Sequence, residues 1–336
     1  TARHLELLNI KVDIRLTDEK INYQQYDLLH FFNLIRPSDI LPHIHNPDIP
    51  FAVTPLLLDY SEYDKYHRGG YSGKLLSCLS RDQIEFAKTI ARWAKRQQKI
   101  KSFSYFLNGQ KSSVKTIIKK AAILLPNSEM EYHQLVQSYS LKPPFSIIPN
   151  GIDENLFKPN GYFGKKENMI LCVAQIEGRK NQLNLIKALN NSRFQLFIIG
   201  NPAFNQKDYY LRCKKIAAEN IHFIDHLPQE KLIEYYQKAK VHILPSWFET
   251  CGLSTLEAAA TGCNVVITNR GYAGEYCDGF AFYCDPSSPS SILEATDKAS
   301  KAEYPKIFQQ KIFANYTWRN AAFKTLEAYK KIISIS

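Results

Sequence analysis

HFIDHLPQEKLIEYYQKAKVHILPSWFETCGLSTLEAAATG, His222–Gly262, decides how this chain reads. A β-branched run opens it, helical periodicity follows from Gln229 to Ala239, a short strand runs Val241–Ser246, and helical spacing resumes at Leu253 and Leu256. Strand, helix, strand, loop and helix in strict alternation call for a parallel sheet covered by helices on both faces. In such sheets ligands sit at the carboxyl ends of the strands. Glu249 stands on the loop leaving the second strand and Glu257 in the first turn of the next helix, so both are expected in one crevice. Ser254 and Glu257 also spell an S-x-x-E capping box, which would explain Glu257 as a helix cap but explains neither Glu249 nor Gly252. A glycine just ahead of a helix lets backbone amides approach a ligand closely, and a helix N-terminus favours a phosphate.

The same rhythm extends outward. Further strands are expected at Met169–Ile176, Phe194–Gly200, Ile221–Leu227 and Val265–Thr268, with helices at Gln182–Asn190, Asp208–Glu219, Gln229–Ala239 and Ser254–Ala260. The first half alternates less cleanly. Ile10–Leu16, Asp27–Phe32, Pro50–Leu57, Ala121–Pro126 and Phe145–Pro149 read as strands, Arg81–Gln98 and Glu129–Ser140 as helices. Between the halves lies KPNGYFGKKEN, Lys158–Asn168, with the composition of a linker. The expected architecture is α/β: two doubly wound Rossmann-like domains, residues 1–158 and 159–318, facing across a cleft, with a final helix at 319–336 packing back on the first. The opening ARHLELLNIKVDI reads as the end of a helix feeding a strand, so the first strand and Gly-rich turn of the first domain are expected upstream of Thr1.

Composition bounds the function. The 336 residues, 45% of them hydrophobic, suffice for two cores. No apolar run is long enough to span a membrane, and no signal peptide opens the chain. The seven cysteines, Cys78, Cys172, Cys213, Cys251, Cys263, Cys277 and Cys284, are scattered and form no C-x-x-C, which points to a reducing cytoplasm without a disulfide framework or zinc site. The net charge of +11 divides almost evenly, 21 basic against 16 acidic residues through Lys158 and 22 against 16 after it. Its excess is local: Phe86–Ser128 contains no acidic residue, while ten lysines and arginines run from Lys88 to Lys120. A solvated helix face accounts for such a run; an anionic membrane surface or acidic ligand is the functional alternative, and nucleic acid is disfavoured because no zinc-finger spacing or aromatic RNA-binding signature is present.

Two carboxylates, a glycine-led helix start and the basic pair Arg179 and Lys180 in VAQIEGRKNQ suit transfer of a sugar from a nucleoside diphosphate, where positive charge grows on the sugar and negative charge on the leaving diphosphate. The chain resembles the family-four retaining glycosyltransferases of the GT-B fold. SIIPNGID (Ser146–Asp153), ILCVAQIEGRKNQLNLIKAL (Ile170–Leu189), LFIIGNP (Leu196–Pro202), the opening stretch and YTWRNAA carry that resemblance across most of the second half; NSEMEY (Asn127–Tyr132) alone supports it in the first. The resemblance implies that Glu249 binds donor-sugar hydroxyls and Glu257 the ribose. It implies that Lys180, with Arg179 beside it, neutralises the diphosphate, helped by amides of Gly252 and Leu253 and by Ser254 or Thr255. Main-chain groups near His226 and Leu227 would meet the base, and Asn150 and Gly151 would form an interdomain hinge. Trp247 and Phe248 hint at a wall around the sugar. Reaction without metal or cofactor is expected, and no D-x-D is present; the acceptor would be a carbohydrate or lipid-linked glycan, in surface polysaccharide synthesis at the inner face of the membrane.

Two positions depart from the family. Gln175 stands where an arginine is common, and Leu56 and Leu57 where a first-domain histidine is common. His30 and Asp59 are the substitutes available, although a lone strand-end histidine is more often packed. A nucleotide-sugar-binding module without activity and a GT-B epimerase remain alternatives. A nicotinamide oxidoreductase is disfavoured because no G-x-G-x-x-G follows a strand.

Overall fold

The computed structural model describes residues 1–17, 19–44, 49–67, 78–100, 102–157, 166–277 and 279–333. Internal contacts divide the chain into unit 1, Thr1–Pro149 together with the C-terminal segment from Arg319, and unit 2, Asn150–Trp318. The division falls ahead of the linker expected at Lys158–Asn168, of which residues 158–165 lie outside the described residues.

In unit 2, six strands form one parallel sheet: β4 (Lys166–Val173), β5 (Gln195–Ile199), β6 (Ile221–Ile224), β7 (Ala239–Leu244), β8 (Asn264–Thr268) and β9 (Ala281–Cys284). Their spatial order is β6-β5-β4-β7-β8-β9, so the winding reverses between β4 and β7. Side chains alternate between the faces. Ile170, Cys172, Val241 and Ile243 enter one core with the helices Gln182–Leu189 and Pro289–Lys301. Met169, Leu171, Val265 and Ile267 enter the other with Leu253–Ala260 and Lys306–Asn315. The expected strands and helices of this half recur with their ends shifted by a few residues. β9 and the helices Ala273–Cys277, Pro289–Lys301 and Lys306–Asn315 went unpredicted, because AFYC is short and half-exposed and the helix patterns are broken by serine, lysine and tyrosine.

Unit 1 carries a parallel sheet of three strands among the described residues, β1 (Leu29–Phe32), β2 (Phe51–Thr54) and β3 (Ile123–Leu124), in the order β1-β2-β3. Its core holds Leu34, Ile40, Val53, Ile117, Leu124 and Leu135. Two expected strands are absent among the described residues. Ile10–Leu16 alternates apolar and polar residues but pairs with no strand; its Asp13 instead accepts from Arg15 and Tyr26. Phe145–Pro149 contributes a single bridge to Leu124. The 18-residue helix Phe103–Lys120 went unpredicted, being interrupted at Gly109, whose φ of +68° lies outside the helical region. Glu131 of NSEMEY is buried and accepts the amides of Leu57 and Asn127, both at 2.6 Å, so one carboxylate ties the turn after β2 to the turn after β3.

His242, inside β7, is fully buried, and neither ring nitrogen has a hydrogen-bond partner among the described residues. Burial pushes its pKa down to about 3, so the neutral ring is the folded form, whereas the unfolded chain takes up a proton near the ordinary histidine value. This contribution to stability is therefore complete above about pH 6.5 and falls as the pH drops toward 3, by up to about 1.4 kcal/mol per pH unit. Urea unfolding of a His242→Leu variant should show a shallower loss between pH 6 and about 4; an unchanged slope would contradict the assignment.

Candidate functional site

The reversal between β4 and β7 leaves a crevice at the carboxyl ends of those strands, the place where doubly wound sheets take ligands. A cavity of about 320 Å³ occupies it, lined by Val173, Ala174 and Gln175 after β4, by Lys180, by Leu244 and the loop Glu249–Gly252 after β7, by Leu253 and Ser254, and by Asn150. Lys180 closes a short 3₁₀ turn, Gly178–Lys180, beyond β4. Its Nζ lies 2.6 Å from Glu249 Oε2, and both side chains are largely buried, 19% and 13% exposed. Ser246 Oγ donates to the same carboxylate oxygen at 3.3 Å.

Backbone contacts fix Glu249 as firmly as its side chain does. Its amide donates to the Arg270 carbonyl at 3.2 Å, and its carbonyl accepts from Tyr272 at 2.7 Å and from Ala273 at 3.3 Å. Gly271 makes that approach possible: with φ +96°, a Cβ there would stand 2.2 Å from the Glu249 carbonyl oxygen. Neither Gly271 nor its role was read from the sequence. The available signal was a glycine directly beyond the carboxyl end of the strand neighbouring β7.

The helix after Glu249 is Leu253–Ala260, and its N-cap is Gly252 in a left-handed conformation, φ +68°. The expected capping box does not form, since no side chain among the described residues caps this helix and Glu257 lies five residues into it. Without a side-chain cap, the first amides of the helix lack an intrahelical acceptor and stand at the cavity wall. Thr255 Oγ1 is buried behind Gly252 with no partner among the described residues.

Glu257 is not among the residues lining the cavity. Its carboxylate accepts Gln229 Nε2 and Tyr236 OH, each at 2.9 Å. Burial raises its pKa, and those two hydrogen bonds partly offset the rise. Gln229 begins the helix that follows the loop carrying His226 and Leu227, so Glu257 is coupled to that loop through one side chain. The His226 amide donates to Asn201 Oδ1 at 3.1 Å. Arg179 does not line the cavity; its carbonyl accepts the Trp247 amide at 2.9 Å. Gln175 is exposed on the rim, and its carbonyl is held by Gln182 at 2.9 Å. Trp247 and Phe248 are buried, the latter packed edge-on against Tyr272 at 5.2 Å. Asn150 donates its amide to Tyr276 OH, and next to Gly151 the Ile152 amide pairs with the Tyr316 carbonyl at 2.9 Å.

The two unit 1 candidates belong to other surroundings. His30 in β1 contacts Tyr329 OH through Nδ1 at 2.7 Å and Thr54 Oγ1 through Nε2 at 2.8 Å, and burial takes its pKa down to about 3. Both nitrogens are committed to packing. Asp59 lines a separate cavity of about 780 Å³ with Arg81, Asp82, Asn108 and Gln134. Among the described residues no cluster of three or more His, Cys, Asp or Glu side chains could hold a metal, and no helix is long and apolar enough to cross a membrane. A Gly271→Ala substitution should cost more than about 1 kcal/mol in chemical denaturation, because it adds both a strained φ and a backbone clash at Glu249; wild-type stability would contradict this account of the loop.

Residues 153–315 match the family described as Glycosyl transferases group 1. D-inositol 3-phosphate glycosyltransferase of Acidothermus cellulolyticus is 28% identical over 46% of this chain and 40% of its own length. That of Corynebacterium urealyticum is 26% identical over 64% and 58%. The aligned chain thus spans about half the length of these curated relatives. Among solved structures, sucrose-phosphate synthase from Thermosynechococcus elongatus superposes with a TM-score of 0.70 at 17% identity, covering 94% of this chain and 75% of its own. Anabaena HepE in complex with UDP and glucose superposes with a TM-score of 0.56 at 14% identity, covering 90% and 99%. At such identities the likeness is one of fold, and the fold is GT-B. Through residues 153–315, just under half of its length, the chain is similar to the glycosyl transferases group 1 family.

Proposed function

We propose that this chain transfers a sugar from a nucleoside diphosphate to a carbohydrate or lipid-linked glycan, with retention at the anomeric carbon and without a metal, in building a surface polysaccharide at the cytoplasmic face of an anionic membrane. The observation that carries the reading is the Lys180–Glu249 pair, held at 2.6 Å in a cavity walled by the uncapped start of the helix Leu253–Ala260. One ammonium and a row of amides suit a diphosphate. A carboxylate beside them suits the hydroxyls of the attached sugar.

As the bond to the leaving diphosphate breaks, negative charge grows on the phosphate oxygens, where Lys180 and the helix amides are already oriented. A bound diphosphate draws the Lys180 ammonium from Glu249, which frees that carboxylate to accept from sugar hydroxyls. Glu257 has lone pairs beyond those used by Tyr236 and Gln229, and a ribose diol would occupy them while the base lies against the loop at His226 and Leu227. The UDP and glucose held by Anabaena HepE are in keeping with this division of the donor. Arg179 serves the diphosphate only if its side chain turns toward the cavity. Gln175, an exposed amide where a second cation is expected, is what favours the alternative of a binding module without turnover.

A thermal-shift screen against uridine, guanosine and adenosine diphosphate sugars should raise the melting temperature for one nucleotide class. With that donor, Lys180→Ala and Glu249→Ala should each lower turnover at least about 10²-fold. Wild-type turnover in either variant would refute the assigned roles, and a melting shift without turnover in the wild type would favour the binding module.

A further inference from the structure

The acid-free stretch Phe86–Ser128 runs from within the helix Arg81–Ala94, past its Asp82 and Glu85, through the helix Phe103–Lys120 and β3, and the two helices pack together in unit 1. Several of the stretch's ten cations are spent locally. Lys88 reaches the carboxylates of Asp64 and Glu85, and Arg92 turns to Gln98 and Thr89. Lys101 lies outside the described residues. At the end where the helices join, Lys95, Arg96 and Lys99 are exposed, and Arg36 stands close enough to Arg92 to depress its pKa further after burial has done so. Glu85 and Asp39 are acidic neighbours of Arg92 here, and Asp39 accepts from Gln98 Nε2 at 3.3 Å.

Large apolar side chains project from the same end. Phe103 and Leu107, one turn apart on the second helix, are 74% and 75% exposed, and Trp93, 46% exposed, stands edge-on to Phe106 at 5.3 Å. Side chains this exposed form a projecting surface, not the wall of a groove. Exposed aromatic and aliphatic tips flanked by lysine and arginine match the interfacial layer of a bilayer, where apolar groups enter and cations remain at the headgroups.

We propose that this end of the helix pair, Trp93 to Leu107, docks on an anionic membrane, with Trp93, Phe103 and Leu107 entering the headgroup region and Lys95, Arg96 and Lys99 pairing with lipid phosphates. Charge complementarity selects this occupant over a second copy of the chain, since a two-fold contact would bring the same cations face to face. Near an anionic leaflet each cation raises partitioning about fivefold, so the three together account for about a hundredfold. This docking surface deepens the membrane part of the proposed function and does not depend on the donor chemistry.

The test is flotation of the whole chain with vesicles of phosphatidylcholine alone and of equal parts phosphatidylcholine and phosphatidylglycerol, with no donor present. The chain should float with the anionic vesicles only, and high salt should release it. Lys95→Glu/Arg96→Glu/Lys99→Glu should weaken binding about a hundredfold or more. Phe103→Ser/Leu107→Ser should weaken it as well, and the blue shift of tryptophan emission on binding should vanish in Trp93→Phe. Equal binding to both vesicle types, binding to neither, or variants that bind like the wild type would each overturn the proposal. So would a solution dimer abolished by Phe103→Ser/Leu107→Ser. Melting temperature and nucleotide-sugar shift in the same variants report on the fold and the donor site separately, so a failure of membrane docking leaves the donor reading intact, and the reverse.

Discussion

A parallel sheet whose winding reverses between β4 and β7 must leave a gap at the carboxyl ends of those two strands, because the helices that follow them depart to opposite faces. The rest of the site depends on that gap. It places Lys180, just beyond one strand, within 2.6 Å of Glu249, just beyond the other, although 69 positions separate them in the chain. Two buried charges tolerate such a setting only when paired and hydrogen-bonded. Here the lysine, the carboxylate and the Ser246 hydroxyl satisfy one another, and backbone bonds through Arg270, Gly271 and Tyr272 hold the carboxylate's own loop. A ligand that replaces one partner with a stronger anion finds the remaining groups already oriented.

Much of unit 2 was legible because its strands are short, β-branched and separated by helices of clear period, and because a parallel order follows from alternation alone. Lys180 and Glu249 could be placed as strand-end residues for the same reason. Glu257 could not. Its spacing from Ser254 imitates a capping box, while the helix begins earlier, at a left-handed Gly252, and turns the carboxylate toward Tyr236 and Gln229 on a neighbouring helix. Partners brought together by packing leave little local trace: Gly271 is marked only as a glycine beyond the end of β8, while its necessity comes from a carbonyl 22 positions earlier in the chain.

Unit 1 was harder to read for a related reason. Ile10–Leu16 has the alternation of a strand, but a strand exists only where another edge can complete its hydrogen bonds. His30, an available substitute for the first-domain histidine but of a kind more often packed, has its two nitrogens used by Tyr329 and Thr54. The buried Glu131 was quoted as part of a motif without a role. Its two short bonds to Leu57 and Asn127 make it the residue that shapes the loops at the carboxyl ends of β2 and β3.

The most direct measurement is a crystal structure of the chain soaked with the nucleoside diphosphate sugar that stabilises it. The account predicts phosphate oxygens within about 3 Å of Lys180 Nζ and of the amides of Leu253 and Ser254, with Glu249 released from the lysine and turned to the sugar. A ligand bound elsewhere, with the Lys180–Glu249 pair still closed, would contradict it.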